Sequence, residues 1–349
     1  LRCFLANKTD DIEGIKEIKE TEIEDQLTNE TVNEESDDEV IWEDATAADF
    51  PEGHKSGFVA VVGRPNAGKS TLLNALLGQK IAIVSHRPQT TRTRQLGIVT
   101  DEEKYQVVFV DTPGIMKKAL HKLDEFMLET AVEALNDGDI VLWIVDASQP
   151  PTAEDKIIGE MVAKASGTVL LVMNKNDLVP IEQALDRTAE FRVLVPEQTE
   201  WFFISSEHKR GVSDLFDTII KHLPLGPRYY PPEQITETFV RDIVSEMIRE
   251  QLLLQLREEI PHGTAVQIND FKEEETPLRI RATIFVERDS HKRIAIGQNG
   301  RMLKKIGTQA RYEIEKLLDK QVFLDLWVKV APKWRTKENL LKRFGYAEG

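Results

Sequence analysis

The run Gly63-Arg-Pro-Asn66-Ala67-Gly68-Lys69-Ser70-Thr71 sets two glycines ahead of a lysine and two hydroxyls. The pattern GxxxxGK[ST] suits phosphate. Its glycines let consecutive backbone N–H groups wrap the oxygens, Lys69 reaches the β and γ phosphates, and Ser70 offers a hydroxyl to Mg²⁺. The run Asp111-Thr-Pro-Gly114 adds a carboxylate able to hold Mg²⁺ through water and a glycine amide able to face the γ-phosphate. In the polar run Pro88-Gln-Thr90-Thr91-Arg-Thr-Arg94, one threonine, Thr91 or Thr90, is expected to bind Mg²⁺ when the γ-phosphate is present; the plainer reading of the run is a basic surface loop.

A third run, Asn174-Lys175-Asn176-Asp177, selects the base. A carboxylate at Asp177 can accept from both N1–H and the exocyclic amine of guanine, an arrangement adenine lacks, and leaving those groups unpaired rejects the wrong base. Asn174 and Lys175 buttress the base and its loop, with Ser205-Ser206 after the next apolar run.

A different chemistry sits near the C-terminus. Gly297-Gln298-Asn299-Gly300 allows a close backbone approach to a single strand of RNA, of about four nucleotides. Ile294 and Ile296 precede it, and Leu303 and Ile306 follow at helical spacing. Residues 288–345 carry 15 basic and 6 acidic side chains, a local excess that fits a phosphate-binding face including Arg301, Lys304, Lys305 and Arg311. Trp327 and Trp334 are candidates to stack bases, although the alternating strand around Trp327 reads as core.

These residues need elements to hold them. Apolar runs at 58–62, 105–110, 140–145, 169–173 and 201–204, separated by helical stretches, predict a mainly parallel sheet with crossover helices on both faces, an α/β fold. The proline-dense segment 223–232 reads as a short, stiff linker. Beyond it a helix over 236–259, strands over 265–268 and 278–286, a helix over 301–318 and a strand over 322–330 make a compact α+β domain. The expected division is an acidic extension over 1–56, a nucleotide-binding domain over 57–225, a linker over 226–235 and an RNA-binding domain over 236–349.

The chain has 349 residues and a formal net charge of −15, but residues 1–50 hold 17 acidic and 4 basic side chains, so the remainder is nearly neutral. A segment of that composition is expected to stay solvated. One cysteine, Cys3, forms no intramolecular disulfide, and a reducing compartment is expected. No run approaches the roughly 20 apolar residues of a spanning helix. A start at Leu1 rather than Met is expected of a processed or truncated form.

The wording GRPNAGKSTLLNALLGQKIAIVS, PQTTR, VDTPG and NKND resembles the Era family of translation-factor-related GTPases, and IAIGQNGRMLKKIG with LDLWVKV and WRTKENLLKRFGY resembles that family's type II KH domain. The likeness covers residues 57–346. It departs at Ala67, where valine is commoner, at Ser206, where alanine is usual, and at Gln298-Asn299, where Lys-Gly is commoner. Ser206 should keep the backbone contact to guanine O6, while the pair between the KH glycines loses a positive charge and some backbone freedom.

The resemblance implies a GTPase that switches between GTP and GDP with Mg²⁺, with Lys69, Asn66, Thr91 and Gly114 acting at the reacting phosphates. Ile115 stands where Ras-like enzymes carry the glutamine that orients water, so turnover should be slow. Related members use K⁺ held partly by the asparagine that is Asn66 here. The implied partners are the 3′ region of small-subunit ribosomal RNA and the ribosomal small subunit. An RNA-binding adaptor with structural, barely hydrolysed GTP is the alternative; a double GTPase of the Der type would need a second P-loop, and there is none. The stretch GHKSGFVAVVGRPN looks closer to cyanobacterial relatives, which implies a chloroplast stroma, with mitochondrion or bacterial cytoplasm as alternatives.

Overall fold

The structure, a computed structural model, describes residues 51–84, 90–116, 119–236, 239–272 and 274–346. The acidic stretch over 1–50 lies outside the described residues, as do Pro88 and Gln89.

The first part alternates strands and helices: β1 (Lys55–Val62), α1 (Lys69–Leu77), β2 (Gln95–Asp101), β3 (Tyr105–Asp111), α2 (Lys122–Asp137), β4 (Ile140–Asp146), α3 (Ala153–Val162), β5 (Thr168–Asn174), α4 (Ala184–Arg192), β6 (Glu200–Phe203) and α5 (Val212–His222). The sheet runs β2-β3-β1-β4-β5-β6, with every pairing parallel except β2 against β3. All seven residues of β4 are buried, because helices cover both faces and both sets of alternating side chains need apolar partners. Trp143 and Val145 pack on one face with Ala131 and Ile158; Leu142 and Ile144 pack on the other with Leu72 and Leu215. Parallel strands bring their carboxyl ends to one edge, and all three nucleotide motifs leave from it.

The second part comprises α6 (Val240–Gln255), β7 (Ala265–Lys272), β8 (Leu278–Val286), α7 (Asp289–Ile296), α8 (Arg301–Leu318), β9 (Val322–Val330) and α9 (Glu338–Arg343). Its sheet runs β7-β8-β9, antiparallel then parallel. Val244, Ile248 and Leu252 of α6 and Ile306, Ala310 and Ile314 of α8 close over Ile280, Ala282 and Ile284 of β8. The helix predicted over 236–259 is shorter, since Phe239 and Leu256 have extended backbone at its ends. β7 continues past Ile268 because an irregularity between Ile268 and Asp270 lets a polar stretch keep pairing.

Two apolar clusters cross between these parts. Ile81 sits among α6, β8 and α8, and Leu123 and Met127 of α2 pack with Phe285, Trp334 and Leu341. The proline-dense segment expected as a stiff spacer is fastened down. Gly226 N–H donates to the His54 carbonyl at 3.1 Å, the Gln106 side chain accepts from the N–H of Tyr229 and Tyr230, and Tyr229 lies against Phe58. Farther on, Ile98 N–H donates to the Ile235 carbonyl at 2.7 Å and Thr236 Oγ1 to the Leu96 carbonyl.

Candidate functional site

The turn after β1 carries Gly63 to Gly68 into α1, the strand-loop-helix setting that aims backbone N–H groups and a helix N-terminus at an anion. Gly68 is obligatory here: its φ is +100°, and a Cβ would lie 2.1 Å from Asn174 Nδ2. Lys69 is buried, its Nζ donating to the carbonyls of Gly63 at 3.2 Å and Arg64 at 3.0 Å. Burial lowers its ammonium from the ordinary 10.5 to about 8, with the Asp111 carboxylate opposing the shift. Asn66 is exposed at the loop tip with a left-handed φ of +64°. Pro65, Asn66, Ser70, Thr71, Thr91 and Gly114 line the cleft above Lys69.

Three oxygens converge beside that cleft. Ser70 Oγ donates to Asp111 Oδ2 at 2.8 Å and lies 3.0 Å from Thr91 Oγ1, which in turn lies 3.3 Å from Asp111 Oδ2. Asp111 is fully buried at the end of β3, and its Oδ1 has no hydrogen-bond partner. Burial raises its carboxyl above the usual carboxylate range, against the pull of Lys69 and the two hydroxyls. Hard oxygen donors around an unsatisfied buried carboxylate fit Mg²⁺, which takes one or two protein oxygens and completes its shell with water and phosphate. Of the two threonines left open by the sequence, Thr91 is the one whose hydroxyl reaches this cluster. It is 7 % exposed and Arg92 3 %, so these two residues are buried, while Arg94 is exposed.

Asn174 joins the phosphate end to the base end. Its Nδ2 donates to the Ala67 carbonyl at 3.0 Å, and its Oδ1 accepts from both Ser206 N–H and Ser206 Oγ at 2.9 Å. The Ser206 N–H expected at guanine O6 is therefore engaged with Asn174 here. Lys175 has a left-handed φ of +66°, and its Nζ donates to Asp146 Oδ2 at 2.7 Å. Asp146, at the end of β4, is a supporting residue that sequence reasoning missed; the acidic end of an apolar strand was its only signal. Asp177 follows in a single 3₁₀ turn beside His208, and Ser205 is buried, its backbone paired with Arg210. Ile115, whose side chain is buried, packs into the sheet core and donates its N–H to the Gly63 carbonyl.

The second candidate site is the loop between α7 and α8. Gly297 has φ +72°, and a Cβ there would lie 2.9 Å from the backbone nitrogen of Met302, so the chain can turn only on glycine. Asn299 and Gly300 also have positive φ, and Gly300 is the residue that caps the start of α8. Gln298, Asn299, Arg301, Lys304 and Lys305 are exposed. Beside them runs a groove lined by Leu303, Gly307, Phe323 and Leu324 and flanked by Lys304 and Arg311. The two tryptophans reverse their expected roles. Trp334 is wholly buried and donates Nε1–H to the Gly263 carbonyl, so it stacks no base, whereas Trp327 is 57 % exposed on the open face of β9.

The family model described as 50S ribosome-binding GTPase matches residues 58–175, and the KH domain model matches residues 259–335. The GTPase Era of Ruminiclostridium cellulolyticum is 43 % identical over 300 residues, covering 84 % of this chain and 98 % of that protein. The GTPase Era of Halothermothrix orenii is 46 % identical over 296 residues, with 84 % and 99 % covered. Among solved structures, Era in complex with MgGDPNP and nucleotides 1506–1542 of 16S ribosomal RNA superposes with a TM-score of 0.81 at 38 % identity, covering 84 % of this chain and 99 % of that one. A single-substitution variant of Aquifex aeolicus Era bound to GDP and AlF₄⁻ gives 0.80 at 38 % identity, with the same coverage.

Proposed function

This chain belongs to the Era family of GTPases, and on that premise we propose that it hydrolyses GTP to GDP and phosphate as a switch, binds the 3′ region of small-subunit ribosomal RNA through its KH domain, and acts in small-subunit assembly. The observation that carries the reading is the convergence of Ser70, Thr91 and Asp111 within 3.3 Å of one another beside the buried Lys69. We divide the chain into an extension (1–56), a GTPase domain (57–225), a connector (226–235) and a KH domain (236–349).

In this reading the N–H groups of the loop from Gly63 to Thr71 cradle the phosphates, and Lys69 holds the β and γ oxygens as charge shifts toward the leaving group. Ser70 and Thr91, with Asp111 acting through water, would hold Mg²⁺, which would supply positive charge to the phosphates. The Gly114 N–H faces the γ-phosphate. Asp177 accepts from the guanine edge, Lys175 packs along the base, Asn174 braces the loop, and Ser205 and Ser206 complete the base end. No side chain at Ile115 orients the attacking water, since that residue is spent on the core, so intrinsic turnover is slow. Asn66 would hold K⁺, which would add positive charge at the phosphates; hydrolysis should be faster in potassium than in sodium, and Asn66→Ala should abolish the difference. At the other site Gly297, Gln298, Asn299 and Gly300 present backbone to RNA phosphates, with Arg301, Lys304 and Lys305 adding charge.

Single-turnover phosphate release with and without ribosomal small subunits tests the enzyme reading. Hydrolysis that subunits accelerate is the expected result; none above the buffer background in either case would leave the RNA-binding adaptor. For the compartment we favour the chloroplast stroma, on the cyanobacterial likeness of GHKSGFVAVVGRPN. Recovery of the native protein outside the plastid fraction would overturn that assignment. Among the described residues no helix is long and apolar enough to cross a membrane.

A further inference from the structure

Thr91 differs from its partners at the phosphate site in what holds it. Lys69 and Ser70 stand on α1 and Asp111 on β3, but Thr91 lies outside every helix and strand, in the connection from α1 to β2. Both of its chain neighbours are tied to the KH domain. The Thr90 carbonyl accepts from Arg249 Nη2 on α6, and Arg249 is itself fully buried and paired with Glu246. On the other side Arg92, 3 % exposed, donates Nη1–H to the Thr264 carbonyl at 2.7 Å and Nη2–H to the His262 carbonyl at 2.8 Å. Its guanidinium lies 5.6 Å from the centre of the Trp334 ring and 5.5 Å from that of Tyr346.

The start of the same connection is tied to the same helix. Glu250, next to Arg249, is 2 % exposed and accepts from Lys80 Nζ at 2.7 Å and from Val84 N–H at 2.9 Å. Buried guanidinium and carboxylate groups persist only where partners compensate their lost hydration. Here the partners of Arg92 and Glu250 come from across the domain boundary.

We infer that Arg92 and Arg249 are positioning residues for the reaction: by fastening the residues on either side of Thr91 to the KH domain, they set the Thr91 hydroxyl in its metal-binding place. Triphosphate binding and KH docking are then linked. A ligand that favours the docked arrangement raises affinity for the triphosphate, and the triphosphate favours docking by the same factor. The diphosphate, which does not engage the threonine, is insensitive to the link. This inference rests on the reading of Thr91 as a magnesium ligand.

The test is magnesium-dependent binding of GDP and of a non-hydrolysable GTP analogue to the full chain, with Arg92→Gln, Arg249→Gln and Thr91→Ala made separately. Arg92→Gln and Arg249→Gln should each weaken the analogue by about tenfold, within the ordinary range of coupling between sites. GDP affinity should stay within about twofold, which doubles as the check that the variants are folded. Arg249→Gln is informative because its residue belongs to the other domain. Arg92→Lys, which restores the charge but not the two-pronged donor, should recover only part of the loss. Equal losses for both nucleotides, or no loss for either, would overturn the inference. If Thr91→Ala leaves the analogue unaffected, the magnesium-site reading itself fails; if Thr91→Ala is selective and the two arginine variants are not, only the positioning role fails.

Discussion

At the phosphate site Asp111 is wholly buried and Lys69 and Thr91 are nearly so, whereas Gln298, Asn299, Arg301, Lys304 and Lys305 of the KH loop face solvent. The difference decides what one side chain is worth. In the enclosed site each hydrogen bond or charge acts at low dielectric and water cannot replace it, so a single loss is felt in full. At the open loop each charge acts through screening water, and affinity is a sum over many small contacts on a backbone that glycine keeps accessible.

The sharpest way to break this comparison is at the base. Asp177→Asn should exchange guanosine for xanthosine nucleotides, because the new amide donates to the 2-oxo group, and the preference ratio should move by at least about a thousandfold. A competition assay that still favours GTP would remove Asp177 from the site. On the open side it takes two changes to produce a smaller effect. Gln298→Asp with Asn299→Asp should cut RNA binding by about tenfold, roughly 1.4 kcal/mol, with GTP affinity unchanged within about a factor of two. Retained RNA binding by a variant with a normal melting curve would place the RNA surface elsewhere.

Next in size is a pH effect peculiar to enclosure. Burial lowers the Lys69 ammonium to about 8, above which it is neutral. Phosphate binding needs its charged form, so as pH rises through that value binding must take up a proton and affinity falls. Between pH 7 and 8.5 the loss for GDP should be about fourfold. GMP lacks the β-phosphate and should not show it; an equal decline for GMP would assign the effect to the base. The smallest expected effect is on salt dependence. Neutralising Lys304 and Lys305 should flatten the slope of RNA affinity against salt by roughly 0.7 per lost contact. An unchanged slope would make them mere solvating charges.

Sequence carried most of the sheet because strands buried on both faces must be continuously apolar, as 58–62 and 140–145 are. β2 escaped. It is an antiparallel edge strand whose sequence, QLGIVTD, has a glycine and three polar side chains among seven residues. The phosphate site was legible in its types and spacing, since a loop that wraps phosphate needs glycine and hydroxyl at fixed offsets. The place of the Thr91 hydroxyl beside Ser70 and Asp111 was not, because the segment around it meets partners more than a hundred residues away, through Arg92 and Arg249. The tryptophans fail for a similar reason. Alternation gives Trp327 two candidate faces without saying which is covered, and Trp334 is buried in a cluster that joins its own domain to Leu123 and Met127 of α2.

The bonds from Ile98 to Ile235 and from Thr236 to Leu96 also cap an otherwise open margin. β2 is an outer strand of the six-stranded sheet, and unpaired strand edges invite a second molecule to add its own strand. The connector occupies part of that edge before another chain can. A GTPase domain cut after Leu225 would keep every nucleotide-site residue yet lose this cover and the hold of Gln106 on Tyr229 and Tyr230. Such a fragment should self-associate at concentrations where the full chain stays dispersed, whereas one extended through Thr236 should not.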